Sequence, residues 1–176
     1  MAKYRRKKPK TGGNPVASLK GTLGIRVLAY GSALSTYVLI VIGGYVVFSG
    51  SGLACGSSGP DSWPLCNGQA IPTLSGPVLV EWTHRLFTLV VGLFVLGTTI
   101  VAWTRYRDEK RILQLSTLCL LILLGQILLG MVTVKTDLDP LVSTAHLAVA
   151  SALFSAVILN AITVRRSTSP SHLLSR

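Results

Sequence analysis

Charged side chains are scarce in this sequence, 13% of 176 residues, and acidic ones scarcer still, six in all. With 49% hydrophobic residues and a mean hydropathy of +0.57, that deficit excludes an ordinary soluble domain and leaves an integral membrane protein. The net charge of +11 does not mark a nucleic-acid binder, because the cations are not spread over one surface. Eight of the seventeen Lys and Arg precede Val27, four lie in Arg105–Arg111 and three follow Val164. Each cluster flanks an apolar span, as topology determinants do. A cleavable leader is also not expected. The first apolar span, Val27 to Phe48, is too long for a signal-peptide core, and Gly52-Leu53-Ala54 lacks the leucine a lipoprotein site wants three residues before Cys55. The amino terminus is expected to be retained.

What is present is long apolar runs. Leu86 to Trp103 alone gives eighteen residues without a charge, enough to cross a bilayer once the preceding turn is added. Four spans are expected: Arg26–Phe48, Val78–Trp103, Ile112–Val134 and Leu141–Val164, the last opened by Pro140 at a position that suits a helix start. Gly43-Gly44 in the first permits close packing or a bend. Trp82 and Trp103 lie where an aromatic belt would place them. Cys119 reads as inert packing and Gln126 as a hydrogen-bonding residue across a helix interface. The fold class is all-α, an integral membrane four-helix bundle with both termini inside. Every basic cluster then lies in the cytoplasm, with Lys135 alone against the rule. The division is a basic cytoplasmic tail over 1–24, the bundle over 25–165 and a cytoplasmic tail over 166–176, whose His172 is expected to be solvent-exposed and without a role. The location is the cell membrane, multi-pass.

Between the first two spans, residues 49–76 are rich in Gly, Ser and Pro and exceed the usual length of a connection, which marks the loop as functional. Cys55 and Cys66 are separated by ten residues that allow easy closure. The outer, oxidising side favours a disulfide between them. The competing readings are two free thiols or half a metal site, for which the loop has no histidine.

Next comes Glu81-Trp82-Thr83-His84-Arg85, three ionisable residues in one helical turn at the mouth of an apolar run. The i, i+3 and i, i+4 spacings place Glu81, His84 and Arg85 near one face, and such a face is expected to turn into a bundle or a cofactor. The bland reading is an interfacial Glu81–Arg85 pair with a snorkelling histidine. A second histidine, His146, follows the outer end of the fourth span. At 1.5 Å per residue both imidazoles lie about 6–8 Å inside the boundary. Two imidazoles at one depth of a membrane bundle are an arrangement that holds haem by two axial bonds, and the alanines around His146 leave room for a flat macrocycle. Zinc wants a third or fourth ligand and only Glu81 is near in sequence. Core histidines bonded to hydroxyls such as Thr83 and Ser143 remain an alternative. Arg85 has two prospective partners, a haem propionate or Glu81.

Taken together, Ser51-Gly52-Leu53-Ala54-Cys55, Pro60-Asp61-Ser62-Trp63-Pro64-Leu65-Cys66, Glu81-Trp82-Thr83-His84-Arg85 and Ser143-Thr144-Ala145-His146-Leu147 resemble the amino-terminal half of haem A synthase, over about Arg26 to Val164. The resemblance implies that His84 and His146 are haem ligands (haem b, or haem O and A), that Glu81 is the catalytic carboxylate and that Cys55–Cys66 is the outer-loop disulfide. It implies oxidation of a methyl of haem O to the formyl of haem A for cytochrome oxidase assembly. Two departures stand out. Family members carry two such halves where this chain has one, and the cysteines lie further apart, with Ser62 interrupting Asp-Trp-Pro. A single unit could regain a second haem site as a homo-oligomer or with a partner half. The alternative function is a bis-histidine electron-transfer or assembly subunit of a respiratory complex, without turnover.

Overall fold

The structure, a computed structural model, describes residues 15–57 and 60–169. Its long elements are four helices: α1 Pro15–Phe48, α2 Gly76–Arg105, α3 Lys110–Lys135 and α4 Pro140–Ser167, with a short 3-10 turn at Pro60–Ser62. All four are long and apolar enough to cross a membrane, and the protein is a multi-pass membrane protein. Helices are the natural outcome, because a backbone in hydrocarbon must satisfy its own polar groups.

The boundaries follow local chemistry. Prolines open α2 and α4, where a missing N–H costs nothing. Asp139 caps α4, its carboxylate accepting from the Leu141 and Val142 N–H groups at 3.0 Å each. At the end of α1, Gly50 takes a φ of +66° while Ser51 N–H donates to Val46 O and Gly50 N–H to Val47 O, the Schellman pattern. The end of α3 repeats it: Asp137 has φ +51°, Leu138 N–H donates to Thr133 O and Asp137 N–H to Val134 O. Helix α1 begins at Pro15, eleven residues before Arg26, where the first span was expected to start, with proline again at the first helical position. Residues 1–14 and His172 lie outside the described residues.

The helices form a ring in which α1 packs on α2, α2 on α3, α3 on α4 and α4 on α1. Helices α2 and α4 therefore stand on one diagonal of the ring. Val91, Val95, Cys119, Leu123, Leu153, Ala156 and Val157 fill the middle of the bundle. Ile25, Ala29, Ala102, Ile112, Ala161 and Val164 fill the end bearing the α2–α3 turn. There Arg26 fastens α1 to the end of α4, donating to Thr168 Oγ1 and to Thr168 O at 2.7 Å each. Toward the other end, beneath the long loop, Glu81, Gln126 and Thr133 are buried.

Candidate functional site

The loop after α1 is built by its own turns. Cys55 and Cys66 form a disulfide, while Cys119 is free and buried. Cys66 N–H donates to Gln69 O at 2.9 Å, and Gln69 N–H returns the bond at 3.0 Å. Asn67 and Gly68 between them have φ +51° and +76°, values that Asn-Gly adopts readily in a tight type I′ turn. This Asn-Gly pair was a legible turn signal that the sequence reading passed over. Asn67 also ties the two halves of the loop together, its N–H donating to Cys55 O at 3.2 Å and its amide to Ala54 O at 3.1 Å.

The first turns of α2 seize this loop. Glu81 is 3% exposed. Its Oε2 accepts from the Cys55 backbone N–H at 2.8 Å and its Oε1 pairs with Arg85. Arg85 also donates to the carbonyls of Ser62 and Leu65, at 2.7 Å each. Of the two partners open to Arg85, the guanidinium meets Glu81 here, and loop carbonyls take its other donors. Trp82 joins them, its indole N–H donating to Ala70 O at 2.9 Å. Such charge-assisted bonds are short and strong, so a single helical turn locks the disulfide-closed loop over the bundle.

His84 stands on α2 and His146 on α4, the diagonal pair of the ring. Each ring is backed by a glycine of the preceding helix. A Cβ on Gly43 of α1 would meet His84 Cε1 at 3.1 Å, and one on Gly130 of α3 would meet His146 Cε1 at 3.1 Å. The glycines thus let a neighbouring backbone approach an imidazole. Gln126, one turn before Gly130, donates to His146 O at 3.0 Å and faces His146 Nε2 at 3.3 Å. The expected cross-helix bond of Gln126 is therefore present, and its partner is a site histidine, which sequence spacing did not reveal.

Among the described residues, three buried side-chain polar atoms lack a hydrogen-bond partner: His84 Nδ1, His146 Nδ1 and Gln126 Oε1. A buried orphan costs about 1–3 kcal/mol, and native proteins carry few of them. The grouping of all three around one site marks a place completed by something other than this chain's side chains. Nor are these core histidines held through Nδ1 by hydroxyls. Among the described residues no three His, Cys, Asp or Glu side chains gather around a metal position. Two histidines on the diagonal helices α2 and α4 would suit a metal that brings its remaining ligands with it, as haem iron does. The residues present fit that group.

Known proteins resemble this chain. Residues 74–175 match the family described as cytochrome oxidase assembly protein. A heme A synthase of Bacillus pumilus is 31% identical over 144 residues, 78% of this chain and 45% of the relative. Those of Bacillus mycoides and Bacillus cereus are 33% and 32% identical over 136 residues, 77% of this chain and 42% of each relative. The chain spans less than half the length of these curated relatives. On this match and its four membrane-crossing helices, the chain belongs to the haem A synthase family of cytochrome oxidase assembly proteins.

Proposed function

We propose that this protein is a membrane oxidoreductase that holds haem between His84 and His146 and oxidises a methyl of haem O to the formyl of haem A, with Glu81 as the catalytic carboxylate. The observation that carries the reading is the pair of glycine-backed imidazoles, His84 on α2 and His146 on α4. Haem, when bound, supplies the redox chemistry. The chain supplies position and charge. Glu81 lies one turn from His84, and its ion pair with Arg85 and bond from Cys55 N–H fix a negative charge at the rim of the site. In a low-dielectric environment a preorganised carboxylate favours positive charge that develops beside it and can accept a departing proton. The loop locked over this end keeps water from the rim.

The proposed orientation puts the basic clusters and both termini in the cytoplasm and the disulfide loop outside, in the plasma membrane. One bundle offers one histidine pair, whereas methyl oxidation with electron exit through another haem needs two. The working unit is accordingly a homo-oligomer or a pair with a separate half. A second reading, a bis-histidine electron-transfer or assembly subunit, is favoured by one observation: both oxygens of Glu81 are already engaged, as they would be in a purely structural carboxylate.

The deciding experiment expresses the chain in a host that supplies haem O and measures bound haem, haem A and particle mass together. Haem A formation that Glu81→Gln removes while haem stays bound supports the oxidase. Bound haem that is never converted supports the second reading. A monomer that makes haem A refutes the oligomer.

A further inference from the structure

The two histidines are not equivalent, and Gln126 is the reason. The glycine packing is symmetric. Gly43 stands against His84 and Gly130 against His146 at matching distances, and four residues before each glycine the same helix face presents another side chain. Before Gly130 that residue is Gln126 (130 − 4 = 126); before Gly43 it is Leu39 (43 − 4 = 39). Leu39 packs into the apolar middle of the bundle and has nothing to donate. Gln126 is 8% exposed and reaches His146 twice, at its backbone carbonyl and at its ring.

The chemistry of that double contact fixes the amide and then the ring. A carbonyl oxygen 3.0 Å away can be met only by the amide nitrogen, since the amide oxygen would be repelled there. The same nitrogen therefore faces His146 Nε2 at 3.3 Å. An NH2 group can only donate, so Nε2 must accept, and in a neutral imidazole the proton is then on Nδ1. The unpartnered Gln126 Oε1 is the residue of this choice, its oxygen turned away to leave the nitrogen with His146.

We propose that Gln126 is a positioning residue that selects the tautomer of His146 with a lone pair on Nε2 and caps that lone pair in the haem-free protein, so that iron engages His84 first and His146 second. The cap and the iron compete for one electron pair. With haem held by His146, Gln126 would give up the ring and keep the carbonyl, so the helix contact would survive loading. His84 has no amide in the corresponding place and is presented uncapped. This ordering rests on the bis-histidine reading above; the tautomer assignment stands on the Gln126–His146 contacts alone.

Two measurements test it on the full chain. Imidazole 15N spectra of haem-free wild-type protein should show His146 protonated at Nδ1 with Nε2 as a hydrogen-bonded acceptor, and Gln126→Leu should redistribute that tautomer. Protonation of His146 at Nε2 in wild type overturns the proposal without any variant. Rapid mixing of haem-free protein with ferric protoporphyrin IX should give a five-coordinate species followed by a slower six-coordinate low-spin one. His146→Ala should stop at the first, and His84→Ala should lose the fast phase. In Gln126→Leu the second phase should quicken about five-fold, what one neutral hydrogen bond is worth, with the first unchanged. Gln126→Met, which keeps the chain length, repeats the test should the leucine variant fold poorly. If the histidine variants alter the spectra but both Gln126 variants leave the second phase at its wild-type rate, the capping role is wrong. If neither histidine variant alters the spectra, the haem reading fails instead, and the 15N result still judges the tautomer assignment.

Discussion

Glu81 accepts a hydrogen bond from the backbone N–H of Cys55, twenty-six residues earlier in the chain, at 2.8 Å. A side chain proposed as catalytic is therefore also the anchor of the disulfide loop, and the proposed role can be separated from the structural one by substitution. Glu81→Gln keeps an oxygen for the Cys55 N–H and loses the charge. Haem should stay bound, and haem A formation should fall by roughly 100-fold or more, the usual effect of removing a preorganised electrostatic group. Glu81→Ala also removes the acceptor oxygens that Arg85 and the Cys55 N–H use, so it should unfold at lower temperature than Glu81→Gln, by about 1–3 kcal/mol in stability. Equal melting of the two variants would sink the anchoring role.

The glycines behind the histidines give a graded test. Gly43→Ala and Gly130→Ala each push a methyl against an imidazole edge. Each should shift the low-spin haem spectrum and cost about 1–3 kcal/mol, as overpacking does. Gly44→Ala is the control, because a Cβ there meets nothing within 4 Å and should leave the spectrum unchanged. An equal shift in Gly43→Ala and Gly44→Ala would mean that helix α1 responds generally rather than through His84.

The disulfide predicts a thiol count. Alkylation of the unfolded, unreduced chain should label one cysteine, Cys119, and reduction should add two more, Cys55 and Cys66. The Cys55→Ser, Cys66→Ser double variant should lose about 2–4 kcal/mol. Three labelled thiols before reduction would contradict the pairing.

At the start of α4 the prediction is smaller. Asp139→Ala removes acceptors for the Leu141 and Val142 N–H groups and should cost about 1 kcal/mol in thermal or denaturant unfolding. Asp139→Asn should recover most of it, since an amide oxygen still caps.

Hydropathy, prolines and histidines made much of this protein legible in its sequence. Four helices follow because an uninterrupted apolar run in a bilayer has no other way to satisfy its backbone. Asp139-Pro140 announces a helix start, and the Cys55–Cys66 loop announces a bridge, because these are local properties of short segments. His84 and His146 stood out because ionisable side chains rarely enter hydrocarbon without a role. Which helix backs which histidine could not be read that way. A membrane helix that is apolar on every side carries no stripe to show which face meets its neighbours, so the pairing of Gly43 with His84, forty-one residues on, is decided by tertiary packing. The same holds for Gln126 on His146 and for Arg85, whose choice between Glu81 and other partners depends on where the carbonyls of Ser62 and Leu65 come to rest. Sequence determined which segments cross and which residues are costly to bury. Only the folded bundle decided which partners meet them, because contacts between helices depend on rotation and depth that no single helix encodes.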